Sequence, residues 1–286
     1  MQRRISKILI ALTGTVLAWG LLPMASGVPV LDGATATASN ILDLNRYPWL
    51  TPELMIDENF SGQYYTARSV FHSAGAATFI IEFTESKTIN TILAVAREDH
   101  YNTVNFEMYI GDDPEVFIPS QLFGTLMGGG ILDCGFKGKY FGLKSPYVIV
   151  LAELRLFEDR NIAPYGKAAQ SSLRDPAVHD AQNPTRLGVH STCGRIESML
   201  TMTAVEANPS WELVFEEEIT VTAMSLVGIT CYVPYTHNIE VHFGSSSAHD
   251  DNPPIPGSPF FTADGELNTG FEVYPMMSGS RLSVKK

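Results

Sequence analysis

The sequence predicts an all-β protein made of two tandem antiparallel sandwiches or barrels. Three observations support this prediction: short runs of β-branched and aromatic residues that alternate in polarity, turn residues between those runs, and recurrence of the pattern about halfway along the 286 residues. Hydrophobic residues make up 45% of the chain and charged residues 17%, a globular composition. The length is sufficient for two packed cores.

The first half of the chain contains five predicted strands, at 78–83, 88–95, 104–110, 140–144 and 148–157. The run at 104–110 (VNFEMYI) alternates with a period of two and ends at the turn signal GDDP. Such alternation places one face of a strand towards the core and the other towards water.

Four segments of the first half recur in the same order in the second half. They are GATATAS at 33–39 and GKAAQSS at 166–172, TFIIEF at 78–83 and SWELVF at 210–215, NFEMYIG at 105–111 and NIEVHFG at 238–244, and GKYFGLK at 138–144 and GSRLSVK at 279–285. The offsets are 133, 132, 133 and 141 residues, which predicts a longer loop at 245–259 in the second copy. A two-copy repeat of this length indicates tandem domains, and we expect Trp211 to take the core position of Phe79.

The predicted domains are a signal peptide at 1–27, a first sandwich at 28–159 and a second at 160–286. The second copy ends one residue after the lysine equivalent to Lys144, so it lacks a counterpart of the strand 148–157. A sandwich without its last strand exposes an edge. Either the second domain is less stable, or another segment or chain fills the gap, as in a homo-oligomer or with a chain-completing partner.

Residues 1–27 have the three parts of a secretory signal peptide. Three basic residues lie within 1–7, an almost wholly apolar run covers 8–22, and small residues follow at 25–27. An uncleaved signal anchor is the alternative, although the apolar run is shorter than the ~20 residues of a membrane span. We expect cleavage within 25–30 and therefore a secreted, extracellular protein.

The chain is acidic, with 19 Lys and Arg against 31 Asp and Glu and a net charge of −12. Because no basic cluster occurs outside the N-terminus, nucleic-acid binding is disfavoured. The three cysteines, Cys134, Cys193 and Cys231, leave at least one thiol unpaired within the chain. If a disulfide forms, we expect it between Cys193 and Cys231. Asn59 begins the sequon NFS.

Several of these segments resemble the eel-type fucolectins of the coagulation-factor C-type, or discoidin-like, galactose-binding family. NIAPYGKAAQSS at 161–172 resembles their opening strand, NPSWELV at 208–214 resembles a central strand, and LAELRLF at 151–157 is similar to their closing strand. The resemblance covers 28–286 as two copies. It implies two jelly-roll β-sandwiches, the second without its last strand, and lectin-like binding of glycans or glycoproteins.

In this family a histidine and two arginines hold the sugar, so the resemblance implies a carbohydrate site in the first copy. His72 and Arg97 match the histidine and the first arginine, and their N–H groups would donate to sugar hydroxyls. The second arginine position falls near Asn102 or Thr103, so this charge is missing and Asn102 is the expected substitute contact.

The second copy has lost all three of these groups. Met202, Gly228 and Tyr235 stand at the corresponding positions, so we expect no sugar binding of this kind there.

MIDEN at 55–59 resembles the calcium-binding loop of the family, which implies calcium in the first domain only. The side chains of Asp57, Asn59, Ser69 and Glu153, with the backbone oxygen of Ala152, would contribute to the six to eight oxygen ligands that calcium takes. A glycan on Asn59 would exclude that side chain, and an ion-free turn is the alternative interpretation.

No enzyme is predicted, because the sequence has none of the serine-hydrolase, zinc-protease or P-loop motifs. We expect a secreted carbohydrate-binding protein that recognises glycans through loops of the first domain. The alternative is an extracellular adhesion or structural module that binds proteins and has a degenerate sugar site. Membrane-lipid binding is disfavoured because the loops are acidic.

Overall fold

A computed structural model describes residues 6–12, 18–24, 31, 33–57, 71–96, 106–126, 129–158, 162–173, 180–182, 188–190, 203–204, 206–228, 238–260, 270–273 and 275–286. Within these ranges the chain forms strands and short 3₁₀ turns and no α-helix, which confirms the predicted all-β class. No helix among the described residues has the length and hydropathy that a membrane span requires.

The strands are numbered along the chain. They are β1 (Ser6–Leu12), β2 (Ala18–Met24), β3 (Thr35–Ala38), β4 (Phe71–His72), β5 (Ala77–Ala96), β6 (Phe106–Gly111), β7 (Leu122–Leu126), β8 (Gly129–Ser145), β9 (Val150–Phe157), β10 (Lys167–Gln170), β11 (Gly188–His190), β12 (Ser210–Gly228), β13 (Glu240–Gly244), β14 (Gly270–Val273) and β15 (Met277–Lys285).

The chain divides into two compact units. The first unit comprises residues 28–158 with 188–195, and the second comprises residues 1–27, 159–187 and 196–286.

The sheet of the first unit has the order β4-β9-β5-β8-β6-β7, with β3 beside β5 and β11 beside β8. All pairings between the described strands of this sheet are antiparallel. The predicted strands 78–83 and 88–95 form one continuous strand, β5. The polar residues between them coincide with a register shift against β8, between Glu82 and Lys87, so the strand continues through a local irregularity in the ladder.

The core of the first unit follows the alternation of its strands. Phe79, Ile81 and Phe83 of β5 are buried, and they lie on one face because successive side chains of a strand alternate. They belong to a cluster with buried residues of β4, β6, β8 and β9, including Phe71, Phe106, Met108, Phe141, Leu151 and Leu154. Burying each large apolar side chain contributes about 1.5–3 kcal/mol to folding.

In the second unit, β12 is the central strand and β13 lies at one edge, beside β15. Trp211 is buried and pairs with Val284 of β15, as Phe79 is buried and pairs with Leu143 of β8. Trp211 therefore holds the core position in its unit that Phe79 holds in the first. Its indole N–H donates to the backbone oxygen of Ala181 at 2.7 Å.

The N-terminal strands β1 and β2 also belong to the second unit. They pair with each other and with residues 220–228 of β12, β1 in parallel and β2 antiparallel. In the first unit, the corresponding part of β5 (residues 91–96) pairs instead with β9. The hairpin thus lies along the part of β12 that corresponds to the β9-paired part of β5. Cleavage of residues 1–27 stays a prediction.

Candidate functional site

His72, the histidine predicted to contact the sugar, lies on the short strand β4, opposite Val150 of β9. Its Nδ1 is 2.7 Å from the backbone oxygen of Ser73. Because a carbonyl oxygen can only accept, Nδ1 carries a proton, and Nε2 of the neutral ring is an acceptor. His72 is 9% exposed. In its neutral form the ring would accept a hydrogen bond from a sugar hydroxyl through Nε2, whereas the sequence suggested a donor.

The backbone around His72 is fixed by a buried serine. Ser73 Oγ accepts from the backbone N–H of Ile149 at 2.8 Å and donates to the backbone oxygen of Gly75 at 2.9 Å. The backbone N–H of Ser73 donates to the oxygen of Ile149 at 3.0 Å. These bonds hold the His72 segment against the start of β9, so the imidazole is oriented before any ligand arrives.

Arg97 and Asn102 lie outside the described residues, but the strand that leads to Arg97 is described. β5 ends at Ala96, which pairs with Leu151 of β9, and Phe71 of β4 pairs with the same leucine. Neighbouring strands are about 4.8 Å apart, so His72 and the end of β5 lie about 10 Å from each other across β9. The sheet order therefore brings Ala96, the residue before Arg97, to the same end of the sheet as His72.

Of the predicted calcium ligands, Asp57 and Glu153 are described, whereas Asn59 and Ser69 lie outside the described residues. Asp57 is exposed and follows the 3₁₀ turn Pro52–Met55, which packs against β9 through its buried Met55. Glu153 lies on β9 and is fully buried. The structure therefore places Met55, the first residue of MIDEN, next to the strand that carries Glu153.

Two features of β9 bear on whether these residues fit calcium. Val95 of β5 pairs with Glu153 and Ala96 pairs with Leu151, so β9 bulges at Ala152 and leaves that residue outside the ladder. Backbone carbonyl oxygens are among the ligands that Ca²⁺ takes. Against this, Nη1 of the buried Arg155 lies 3.7 Å from Oε1 of Glu153 and offsets its charge without any ion.

In the second unit, Met202 and Tyr235 lie outside the described residues, and Gly228 is the last residue of β12. Gly228 has no side chain that could donate to a sugar. Cys193 and Cys231 also lie outside the described residues, so their pairing stays a prediction.

No family model and no curated protein matches the chain. Among solved structures, the chain is similar to a fucolectin from striped bass serum, with 18% identity, a TM-score of 0.42 and coverage of 90% of this chain and 92% of that one. It is also similar to a fucose-binding module of Streptococcus pneumoniae, with 16% identity, a TM-score of 0.37 and coverage of 46% and 96%. Similarities at this level assign neither a family nor a ligand.

A third similar structure is the lectin domain of lectinolysin in complex with Lewis B antigen. Its identity is 15% and its TM-score 0.37, with coverage of 46% of this chain and 97% of that domain.

Two arrangements in the structure were not predicted from the sequence. One is the buried ion pair of Arg155 with Glu153, two residues apart on one face of β9. The sequence contains a local signal for this pair, because LAELRLF at 151–157 is otherwise apolar and carries two charged residues two positions apart. The other is the contact of His242 with His249, whose ring centroids lie 4.0 Å apart. Its only signal in the sequence was the longer loop of the second copy.

Proposed function

We propose that this protein is a secreted carbohydrate-binding protein that recognises glycans through loops of its first domain. The observation that carries the proposal is the register of three strands. His72 on β4 and the end of β5 before Arg97 both lie beside the first residues of β9. The secretion part of the proposal is supported by the basic and apolar pattern of residues 1–27.

The chemistry suits a neutral sugar. Nε2 of His72 would accept from one hydroxyl, while the guanidinium of Arg97 would donate to others. With Asn102 in place of a second arginine, a charge-assisted hydrogen bond of roughly 1.5–3 kcal/mol is missing. This corresponds to about one to two decades in affinity. We therefore expect weak binding of single glycans.

Calcium in the first domain belongs to the same proposal. It is supported by the bulge at Ala152 and by the packing of the Pro52–Met55 turn against β9. The proximity of Arg155 to Glu153 opposes calcium binding by that carboxylate. The ion would therefore depend more on oxygens of the MIDEN loop, such as those of Asp57.

A glycan array with the full chain, followed by calorimetry on the glycans that bind, tests the function. The decisive variant is His72→Asn, because the asparagine amide still offers an N–H towards Ser73 but has no counterpart of Nε2. We expect its affinity to fall at least tenfold. The matched control is His242→Asn in the second unit, where Nδ1 lies 2.7 Å from the backbone oxygen of Asn252 in the same type of bond. This control should bind glycans as the wild type does.

Two outcomes would contradict the proposal. If the wild-type chain binds no glycan, the adhesion alternative replaces it, and protein partners become the ligands to seek. If glycans bind but His72→Asn and His242→Asn bind equally well, the site does not involve His72.

A further inference from the structure

The longer loop of the second copy folds back onto the edge strand β13. The backbone N–H of Phe243 donates to the oxygen of Pro253 at 3.1 Å, and that of Ile255 donates to the oxygen of Val241 at 2.9 Å. The loop is thereby attached to β13 on the side away from β15. It brings the 3₁₀ turn His249–Asp251 next to the strand.

Asn252 fixes the conformation of this loop. It is 3% exposed, its Oδ1 accepts from the backbone N–H of Ser246 at 2.8 Å, and its Nδ2 donates to the oxygens of Ser246 and Ala248 at 3.0 and 3.2 Å. These three bonds close the turn around His249. The hydrogen bonds of Asn252 therefore hold the loop segment that carries His249 in place.

Three side chains with metal-binding atoms meet at this place. Glu240 and His242 are two residues apart on β13 and so lie on one face, and His249 of the loop stacks on His242 with an angle of 32° between the rings. Nε2 of His249 lies 3.9 Å from Oε2 of Glu240. One ligand atom from each of the three residues lies within 4.8 Å of the others.

The outer hydrogen bonds orient both imidazoles. Nδ1 of His242 donates to the backbone oxygen of Asn252 at 2.7 Å, which leaves the lone pair of the neutral ring on Nε2. Nδ1 of His249 lies 2.7 Å from Oγ of Ser283, a nearly buried residue of β15 that pairs with His242. Metal-binding histidines usually have such a partner on the second ring nitrogen.

Among the described residues, Nε2 of His249 has no hydrogen-bond partner, although it is shielded from solvent. A buried polar atom without a partner is costly, and a metal ion would satisfy it.

We propose that Glu240, His242 and His249 form a binding site for a divalent first-row transition metal such as Zn²⁺. Two imidazoles and one carboxylate suit zinc, whereas calcium prefers oxygen ligands alone. With metal–ligand distances of about 2.1 Å, tetrahedral ligand atoms lie about 3.4 Å apart, so the three atoms must approach by roughly 1.5 Å or less. The half-exposed side chain of Glu240 can supply most of this movement.

The surroundings leave room for a fourth ligand. Asp250 Oδ1 lies 4.0 Å from Nε2 of His249 and 3.6 Å from Nζ of Lys285, so this carboxylate could bind the ion or remain with the lysine. His249, Ser283 and Lys285 also line a pocket of about 260 Å³. The site lies in the second unit and does not depend on the proposed sugar site.

Calorimetric titration of the full chain with ZnCl₂, with its cysteines alkylated so that thiols do not bind the metal, tests the proposal. We expect one Zn²⁺ per chain. Glu240→Gln, which keeps the shape of a half-exposed side chain, should weaken binding at least tenfold. The double variant His242→Ala with His249→Ala should weaken it at least a hundredfold. His72→Asn is the matched control and should bind Zn²⁺ as the wild type does.

Absence of Zn²⁺ binding by the wild type would overturn the proposal, and so would unchanged binding by Glu240→Gln. Circular dichroism identifies a variant that does not fold, and Glu240→Gln then decides the outcome without the double variant. Glycan binding measured on the same samples separates this result from that of the sugar site.

Discussion

Gly138 of β8 lies so close to Gly111 of β6 that a Cβ on Gly138 would stand 2.5 Å from the backbone nitrogen of Gly111. Gly279 and Gly244 have the same relationship in the second unit, where the added Cβ would stand 2.5 Å from the backbone oxygen of Gly244. In both places the obstacle is backbone, which cannot rotate away as a side chain can. Each pair of strands therefore requires glycine where the two backbones approach so closely.

Substitution of Gly138 by alanine should destabilise the first unit. The added methyl group must push β6 and β8 apart, and overpacking of this kind costs about 1–3 kcal/mol. Urea unfolding of the full chain, monitored by circular dichroism, measures the loss. The matched control is Gly135→Ala on the same strand, where the nearest atom would be 3.9 Å away. Equal stabilities of the two variants would show that the strands can separate at no cost.

The strand positions could be predicted from the sequence because alternation is a local property. Register could not, because it depends on hydrogen bonds between strands. The alignment of GATATAS with GKAAQSS matched residues 133 positions apart, as Gly33 with Gly166. In the structure, the N–H of Ser39 donates to the oxygen of Thr78 and that of Ser171 to the oxygen of Ser210. The equivalent serines are thus 132 positions apart, and the opening strand differs by one residue from the sequence alignment.

The same distinction applies to the sites. His72 could be chosen from a motif, but its protonated Nδ1 follows from the position of the Ser73 carbonyl, which only the fold supplies. Likewise, His242 and His249 are seven residues apart on a strand and in a loop. Their contact depends on how that loop returns to β13, and no local pattern encodes this.

The buried pair of Arg155 and Glu153 should be a strong determinant of stability. Arg155→Met leaves the carboxylate of Glu153 buried without this cation, a loss of about 3–5 kcal/mol. Adding Glu153→Gln to Arg155→Met should recover part of the loss, so the double variant is more stable than the sum of the single effects. Thermal unfolding of the four proteins gives this coupling energy.

A control for that cycle is available on the surface of the same unit. Lys87 lies 2.7 Å from Glu85, whose side chain is 72% exposed. Lys87→Met should change the unfolding temperature much less than Arg155→Met, because water solvates Glu85 when its partner is removed. Additive effects of Arg155→Met and Glu153→Gln would contradict an interaction between these residues.

Calcium should raise the unfolding temperature of the wild-type chain by a few degrees, because a ligand that binds only the folded state stabilises it. Asp57→Asn should reduce this increase, since it removes a carboxylate from the MIDEN loop. Asp113→Asn, a substitution of the same type in a turn between strands of the same unit, should leave the increase unchanged. Scanning calorimetry with calcium and with a chelator measures both, and no effect of calcium on the wild type would reject the calcium site.

The stability of the first unit should fall between about pH 10 and pH 12 through Tyr109. Burial and the hydrogen bond to Glu107 raise the pKa of Tyr109 to about 12, against about 10 in an unfolded chain. A group with a raised folded pKa stabilises the fold below its unfolded pKa and loses this contribution as the pH rises through the folded one. Tyr109→Phe should therefore show a flatter decline over this range. Tyr147→Phe, at an exposed tyrosine, should decline as the wild type does.

Removal of residues 1–27 should open one edge of β12. In the full chain, residues 220–228 pair with β1 and β2, so part of the edge backbone is hydrogen-bonded to the N-terminal hairpin. In a chain of residues 28–286 these groups would face water or another molecule, because an unpaired edge offers free donors and acceptors. We expect the amides of this segment to exchange with deuterium faster in dilute 28–286 chain than in full chain. Residues 211–214 are an internal control, because their partner strand β10 is present in both proteins. Equal exchange of residues 220–228 in the two proteins would show that the hairpin does not protect this edge in solution.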